Sequence, residues 1–103
     1  MSTRDEAPIK VIVELHAKPG RRAELKNLLA SVVAKYGPGQ PGFIGSQQYE
    51  VIDNPDILVE IADWTSVEVR ATAMQQAMAD GAYAPLEQLL AAPFRATVIR
   101  QLP

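Results

Sequence analysis

Between Ile57 and Met78 the spacing of the apolar residues changes, and that change constrains the fold more than any other feature of the chain. The run ILVEIADW, from Ile57 to Trp64, alternates as a strand. Ile57, Val59, Ile61 and Asp63 fall on one face, and Leu58, Glu60, Ala62 and Trp64 on the other. A helix opens at Val67. Thr65 and Glu68 have the spacing of a capping box, in which the Thr oxygen takes the Glu68 amide and the Glu68 side chain returns to the Thr65 amide. The only Trp thus shares a face with a Glu four residues earlier, where a strand hands over to a helix. A large aromatic there can wall a pocket or simply fill the core.

The rest of the chain is read around this unit. Residues 1–8 form a loose polar tail, and residues 9–103 form one domain. Ile9 to Ala17 is a strand with one apolar face (Ile9, Val11, Val13, Leu15, Ala17) and a mixed one (Lys10, Ile12, Glu14, His16). Lys18-Pro19-Gly20 breaks it. A helix follows, with Leu25, Leu28, Leu29, Val32, Val33 and Tyr36 on one stripe, and Gly37 is expected to stop it as a C′ residue, the position where helices commonly turn left-handed, with Pro38 just beyond. After a Gly/Pro-rich connection, a strand runs from Phe43 to about Ile52, with Gly45 as the site of a bulge or close approach. Asp53-Asn54-Pro55-Asp56 is expected to be a hairpin loop. The helix after Trp64 runs to about Ala79, with Val67, Arg70, Ala71, Met74 and Met78 on its inner side. Tyr83 to Leu90 is a shorter helix and Phe94 to Leu102 the last strand.

This order predicts an α+β ferredoxin-like split βαβ fold with a four-stranded antiparallel sheet. Two helices cover only one face of such a sheet. The other face carries Ile12, Ile57, Val59 and Ile61, which predicts a homodimer through the sheet faces.

Composition narrows the function classes. The 103 residues carry a net charge of −2 and no long basic run, which argues against nucleic acid and anionic membranes as partners. There is no Cys and one His, so thiolate chemistry is excluded and a His-rich metal site is not expected. No signal peptide or membrane span is visible, which makes a cytoplasmic location the expectation.

Several stretches carry a family likeness. They are Ala17-Lys18-Pro19-Gly20-Arg21 after the first strand, Gln40-Pro41-Gly42-Phe43-Ile44-Gly45 entering the second, and Val59 to Ser66 entering the second helix. In these the chain resembles the antibiotic-biosynthesis monooxygenase (ABM) domain family of the dimeric α/β-barrel superfamily, over about Val11 to Arg100. The resemblance implies two ferredoxin-like subunits with packed sheets and a pocket in each, between sheet and helices. It also implies oxygenation of aromatic polyketides or quinols by molecular oxygen without flavin, haem or metal. An electron-rich phenolate can itself pass an electron to oxygen, so the substrate supplies what a cofactor would. The protein then needs a dry pocket, a group favouring deprotonation and a donor for the developing anion.

Residue by residue, Trp64 matches the family's pocket Trp. Glu60 falls where several polyketide oxygenases have Asn, Val13 where relatives have another pocket Asn, and Arg70 near a position where some members place a Tyr. The haem-degrading relatives need a His on the second helix, and Ala71 to Gln76 contains none. The resemblance therefore makes Glu60, Trp64 and Arg70 the catalytic candidates. Val13, Tyr36, Met74 and Tyr83 are the pocket candidates, with His16 a lesser one on the opposite strand face. Glu60 reads either as a base or as half of an ion pair with Arg70 or Arg100. Of the neighbours Gln47 and Gln48, alternation lets only one face a ligand.

The resulting expectation is a cofactor-independent monooxygenase acting on a small aromatic quinol, anthrone or polyketide-type phenolic. The alternatives are a non-catalytic small-molecule-binding dimer and an oxygen-independent isomerase or decarboxylase of the same superfamily.

Overall fold

The computed structural model describes residues 7–103, so the expected tail lies outside the described residues as far as residue 6. The elements are β1 (Ile9–His16), α1 (Arg22–Tyr36), β2 (Phe43–Val51), β3 (Asn54–Trp64), α2 (Val67–Ala79), α3 (Ala84–Glu87) and β4 (Arg95–Ile99). The strands form one antiparallel sheet in the order β2-β3-β1-β4. Each β-α-β unit is split by a strand of the other, which is the α+β ferredoxin-like fold that the pattern predicts.

The alternation in β1 and β3 decides which side is covered. Val11 pairs with Ala62, Val13 with Glu60 and Leu15 with Leu58, so these side chains share a face. Leu15, Leu25, Leu29, Leu58, Leu86, Leu89 and Leu90 form a cluster with Ala17. Ile9, Val11, Ala62, Trp64 and Ala73 form a second. Val13 packs against both, and Glu60 lies between Leu58 and Ala62 where the clusters meet. Each fully buried leucine contributes about 1.5–3 kcal/mol. The clusters hold the sheet and helices together on both sides of that junction.

Several local expectations are corrected. The cap of α2 is Ser66, whose Oγ accepts from Val69 N at 3.2 Å, rather than Thr65. Thr65 instead belongs to the strand–loop contact, where its N–H donates to Gly42 O at 2.8 Å. The β2–β3 turn is Ile52-Asp53, with Val51 paired to Asn54, so Asn54 to Asp56 already belong to the strand. Asn54 still behaves as a turn residue, since its Oδ1 accepts from Asp56 N at 3.0 Å. The bulge does fall beside Gly45, between the Phe43 and Gly45 pairings.

Gly37 caps α1 in right-handed geometry (φ −74°, ψ −56°) rather than left-handed. It is needed for space: a Cβ there would lie 2.7 Å from Val33 O and 2.8 Å from Phe43 Cε2.

Helix α2 is rotated relative to the expected face. Ala73 and Ala77 are buried, whereas Val67 is 38% and Met78 67% exposed and Ala71 is exposed. The small methyls of Ala73 and Ala77 allow the closest approach of helix to sheet, and Val69 and Met74 pack partly buried beside them. Helix α3 spans one turn, although Leu86, Leu89 and Leu90 are buried as expected. Strand β4 is shorter than expected and exposed throughout.

The uncovered sheet face carries Ile12, Ile57, Val59 and Ile61, each half-buried, and Tyr49, exposed, opposite Val59. No helix among the described residues is long and apolar enough to cross a membrane.

Candidate functional site

A cavity of about 260 Å³ lies between the covered sheet face and the helices. Ligand sites commonly measure roughly 300–1,000 Å³, so this one suits a small ligand. Seven residues singled out from the sequence line it: Glu60, Trp64, Arg70, Val13, Tyr36, Met74 and Tyr83. His16 is not among them. It lies on the opposite sheet face, with Nε2 2.5 Å from Glu14 Oε1.

Strand pairing sets the floor. Glu60 on β3 is opposite Val13 on β1 and Gln48 on β2, and Ser46 is opposite Ala62. Glu60 is only 8% exposed. Gln48 Nε2 donates to its Oε2 over a long 3.4 Å. Burial pushes the Glu60 carboxyl above its ordinary value, while the polar Gln48 and Ser46 side chains oppose the shift. Of the two readings of Glu60, the ion pair does not form: among the described residues, no Lys or Arg nitrogen lies within 4.0 Å of Glu60. The Arg100 Nε is itself buried without a partner among the described residues.

Trp64 ends the same strand and is 5% exposed. It is at once core and cavity wall. Its ring meets Phe43 edge-on, with centroids 5.1 Å apart and planes at 62°. Phe43 is brought there by the connection from α1, which is pinned at Gly42. That glycine has φ +83°, and a Cβ on it would stand 2.3 Å from Val69 Cγ1 and 2.6 Å from Thr65 Oγ1.

The helices supply the roof. Tyr83 OH donates to Met74 Sδ at 3.3 Å, and its ring is tilted against Phe94 at 5.7 Å. Burial pushes the Tyr83 hydroxyl above its ordinary value, the Glu60 charge adds to this, and Arg70 opposes it. Glu60, Tyr83 and Arg70 therefore feel one another across one apolar space. Met78, largely exposed, stands at the rim.

Sequence reasoning missed Ser46 and Phe43 and left Gln47 and Gln48 undivided. The register resolves it: Gln48 faces Glu60, while Gln47 pairs with Ile61 on the other face. The bulge between Phe43 and Gly45 hid this, because it resets the alternation that would have identified Ser46 and Gln48.

No group of three or more His, Cys, Asp or Glu side chains able to hold a metal occurs among the described residues. The cavity walls instead present rings, methyls, one carboxyl and one guanidinium, a set suited to holding an aromatic ring and moving a proton at its edge.

A four-stranded sheet with helices on one face and a cavity between them defines a small α+β domain of the ferredoxin-like class. More specifically, the chain belongs to the antibiotic biosynthesis monooxygenase family, whose model matches residues 8–83. No curated protein matches it. Among solved structures, it is similar to a conserved protein from Methanosarcina mazei Go1, with 19% identity, TM-score 0.80, and 99% of this chain and 100% of that one covered. It is also similar to a variant of SnoaB, a cofactor-independent oxygenase from Streptomyces nogalater, with 20% identity, TM-score 0.77, and 91% and 92% covered. A third is Rv0793 from Mycobacterium tuberculosis, with 23% identity, TM-score 0.77, and 94% and 97% covered. At these identities the likeness speaks for the fold.

Proposed function

We propose that the protein is a monooxygenase that oxidises a small electron-rich aromatic, a quinol or related phenolic, with molecular oxygen and without an added cofactor. The observation that carries the reading is Glu60. It is a carboxyl buried without a cation partner among the described residues, on the strand that ends in Trp64, facing an apolar cavity. A carboxyl in such surroundings is a stronger proton acceptor when ionised than one in water.

The chemistry follows from those positions. The aromatic ring lies against Trp64 and Phe43, with water excluded by the apolar walls. Glu60 takes the hydroxyl proton of the substrate. The electron-rich phenolate passes an electron to oxygen, and recombination forms a carbon–oxygen bond at the ring. Glu60 returns its proton to the peroxide, and the hydroperoxide's outer oxygen then leaves as water with the hydrogen of the same ring carbon, giving a carbonyl, so one oxygen atom enters the product and the other leaves as water. Arg70 and the Tyr83 hydroxyl stabilise negative charge as it develops. The family membership and SnoaB's description as a cofactor-independent oxygenase support this reaction class.

A second copy of the chain covers the open sheet face. The support is the stripe of Ile12, Ile57, Val59 and Ile61, which leaves a contiguous apolar surface that a monomer would expose.

The test is product mass after turnover under ¹⁸O₂, with Glu60→Gln and Trp64→Phe as controls. One ¹⁸O atom per product, with turnover reduced about 10²-fold or more in Glu60→Gln, is expected for loss of a general base. Saturable binding of the aromatic with no labelled product would favour a non-catalytic binding module.

A further inference from the structure

Arg70 is placed where neither folding nor the neighbouring charges explain it. It stands at the end of the first turn of α2, half-buried, on the cavity wall. A cation at a helix N-terminus meets the positive end of the helix dipole, which disfavours it. Burying part of a guanidinium is costly without a partner. Yet among the described residues no carboxylate oxygen lies within 4.0 Å of it, and it makes no side-chain hydrogen bond to them. Among the described residues, Glu60 and Arg70 are the only carboxyl and guanidinium groups on the wall, one from the sheet and one from the helix. The cavity therefore has a cation on its α2 side and an acidic group on its sheet side.

Size adds a second constraint. An apolar cavity of about 150 Å³ already holds benzene. The 260 Å³ here leaves room for a second ring or for substituents.

We propose that the cavity takes a one- or two-ring hydroxylated aromatic carboxylate, with the carboxylate docked on the Arg70 guanidinium, the ring against Trp64 and the hydroxyl toward Glu60. A single guanidinium matches a carboxylate in charge and in two-point geometry. A phosphate dianion would need a second cation, and Glu60 would oppose it. This specificity rests on the reading that the cavity holds the substrate ring, and it deepens that reading by naming the substituent that orients the ring.

The test is isothermal titration calorimetry under anaerobic conditions, so that binding is read apart from any oxygen chemistry. The paired ligands are 6-hydroxy-2-naphthoate against 2-naphthol, and 4-hydroxybenzoate against phenol, in which hydroxyl and carboxylate sit at opposite ends of the ring. The proteins are wild type, Arg70→Gln and Arg70→Lys, with melting temperatures confirming that each is folded. The carboxylates are expected to bind wild type at least tenfold more tightly than the neutral partners, which is about 1.4 kcal/mol. Arg70→Gln abolishes that preference, and Arg70→Lys retains part of it. Equal or tighter binding of the neutral ligands by wild type, absence of binding by all four, or an undiminished preference in Arg70→Gln would each overturn the proposal. Failure of the oxygenase reading shows separately, as carboxylate binding that depends on Arg70 with no oxygen consumed by the same complex in air.

Discussion

Replacing Gly37 by alanine sets two effects against each other, and the structure decides between them. The residue has right-handed helical dihedrals, so conformation alone makes alanine better by about 0.5–1 kcal/mol. Space opposes this. The new methyl would sit 2.7 Å from Val33 O and 2.8 Å from Phe43 Cε2. The carbonyl belongs to the helix turn and accepts the Gly37 N–H at 2.7 Å, so it cannot retreat cheaply. The Phe43 ring must move instead, and it is held edge-on against Trp64 at 5.1 Å. Overpacking of this kind costs about 1–3 kcal/mol. The net expectation is a loss of about 1 kcal/mol, or about 4–8 °C in melting temperature for a chain of this size. Urea denaturation should show a lower midpoint with an unchanged slope, and because Phe43 is a cavity wall, ligand affinity should fall as well. A higher midpoint in Gly37→Ala would refute the packing argument and with it the placement of Phe43.

Three further outcomes follow from the same geometry. Because burial raises the Glu60 carboxyl, the folded state keeps that proton above the pH at which the unfolded chain releases it. Glu60 therefore contributes most below its ordinary value of 4.5, and the contribution is lost as pH rises toward the folded value. Glu60→Gln should remove this slope, so melting temperatures across about pH 4 to 8 should show the variant gaining on wild type as pH rises; a parallel pair of curves would contradict it. Leu25→Ala, at a side chain with no exposure, should cost about 2–5 kcal/mol in chemical denaturation. Ile61→Asp, on the uncovered sheet face, should shift sedimentation from dimer to monomer; an unchanged sedimentation coefficient would place the interface elsewhere.

The strands were legible because their period of two is strict: Ile9, Val11, Leu15, Leu58, Ala62 and Trp64 all face the core side that alternation assigns. Glu60 and Trp64 share the cavity for the same reason. The orientation of α2 was not legible. Its stripe is made of alanines, and reading by bulk favours Met78 and Val67, which the structure leaves exposed. The roles of Ser46 and Gln48 depend on a bulge, and that of Gly37 on a contact with Phe43 six residues ahead; neither leaves a local signature. The absence of an ion pair at Glu60 depends on where long side chains end in space, which spacing along a chain does not encode.

The central claim is that the cavity around Glu60 and Trp64 oxygenates a small aromatic. Oxygen uptake by metal-stripped protein tests it most directly, with phenols, quinols, hydroxylated aromatic carboxylates and anthrones each set against an enzyme-free blank. The account predicts uptake well above the blank for at least one of the smaller aromatics, unaffected by chelator and lost in Glu60→Gln. Uptake no greater than the blank across the panel, from protein that still binds the same compounds, would contradict it.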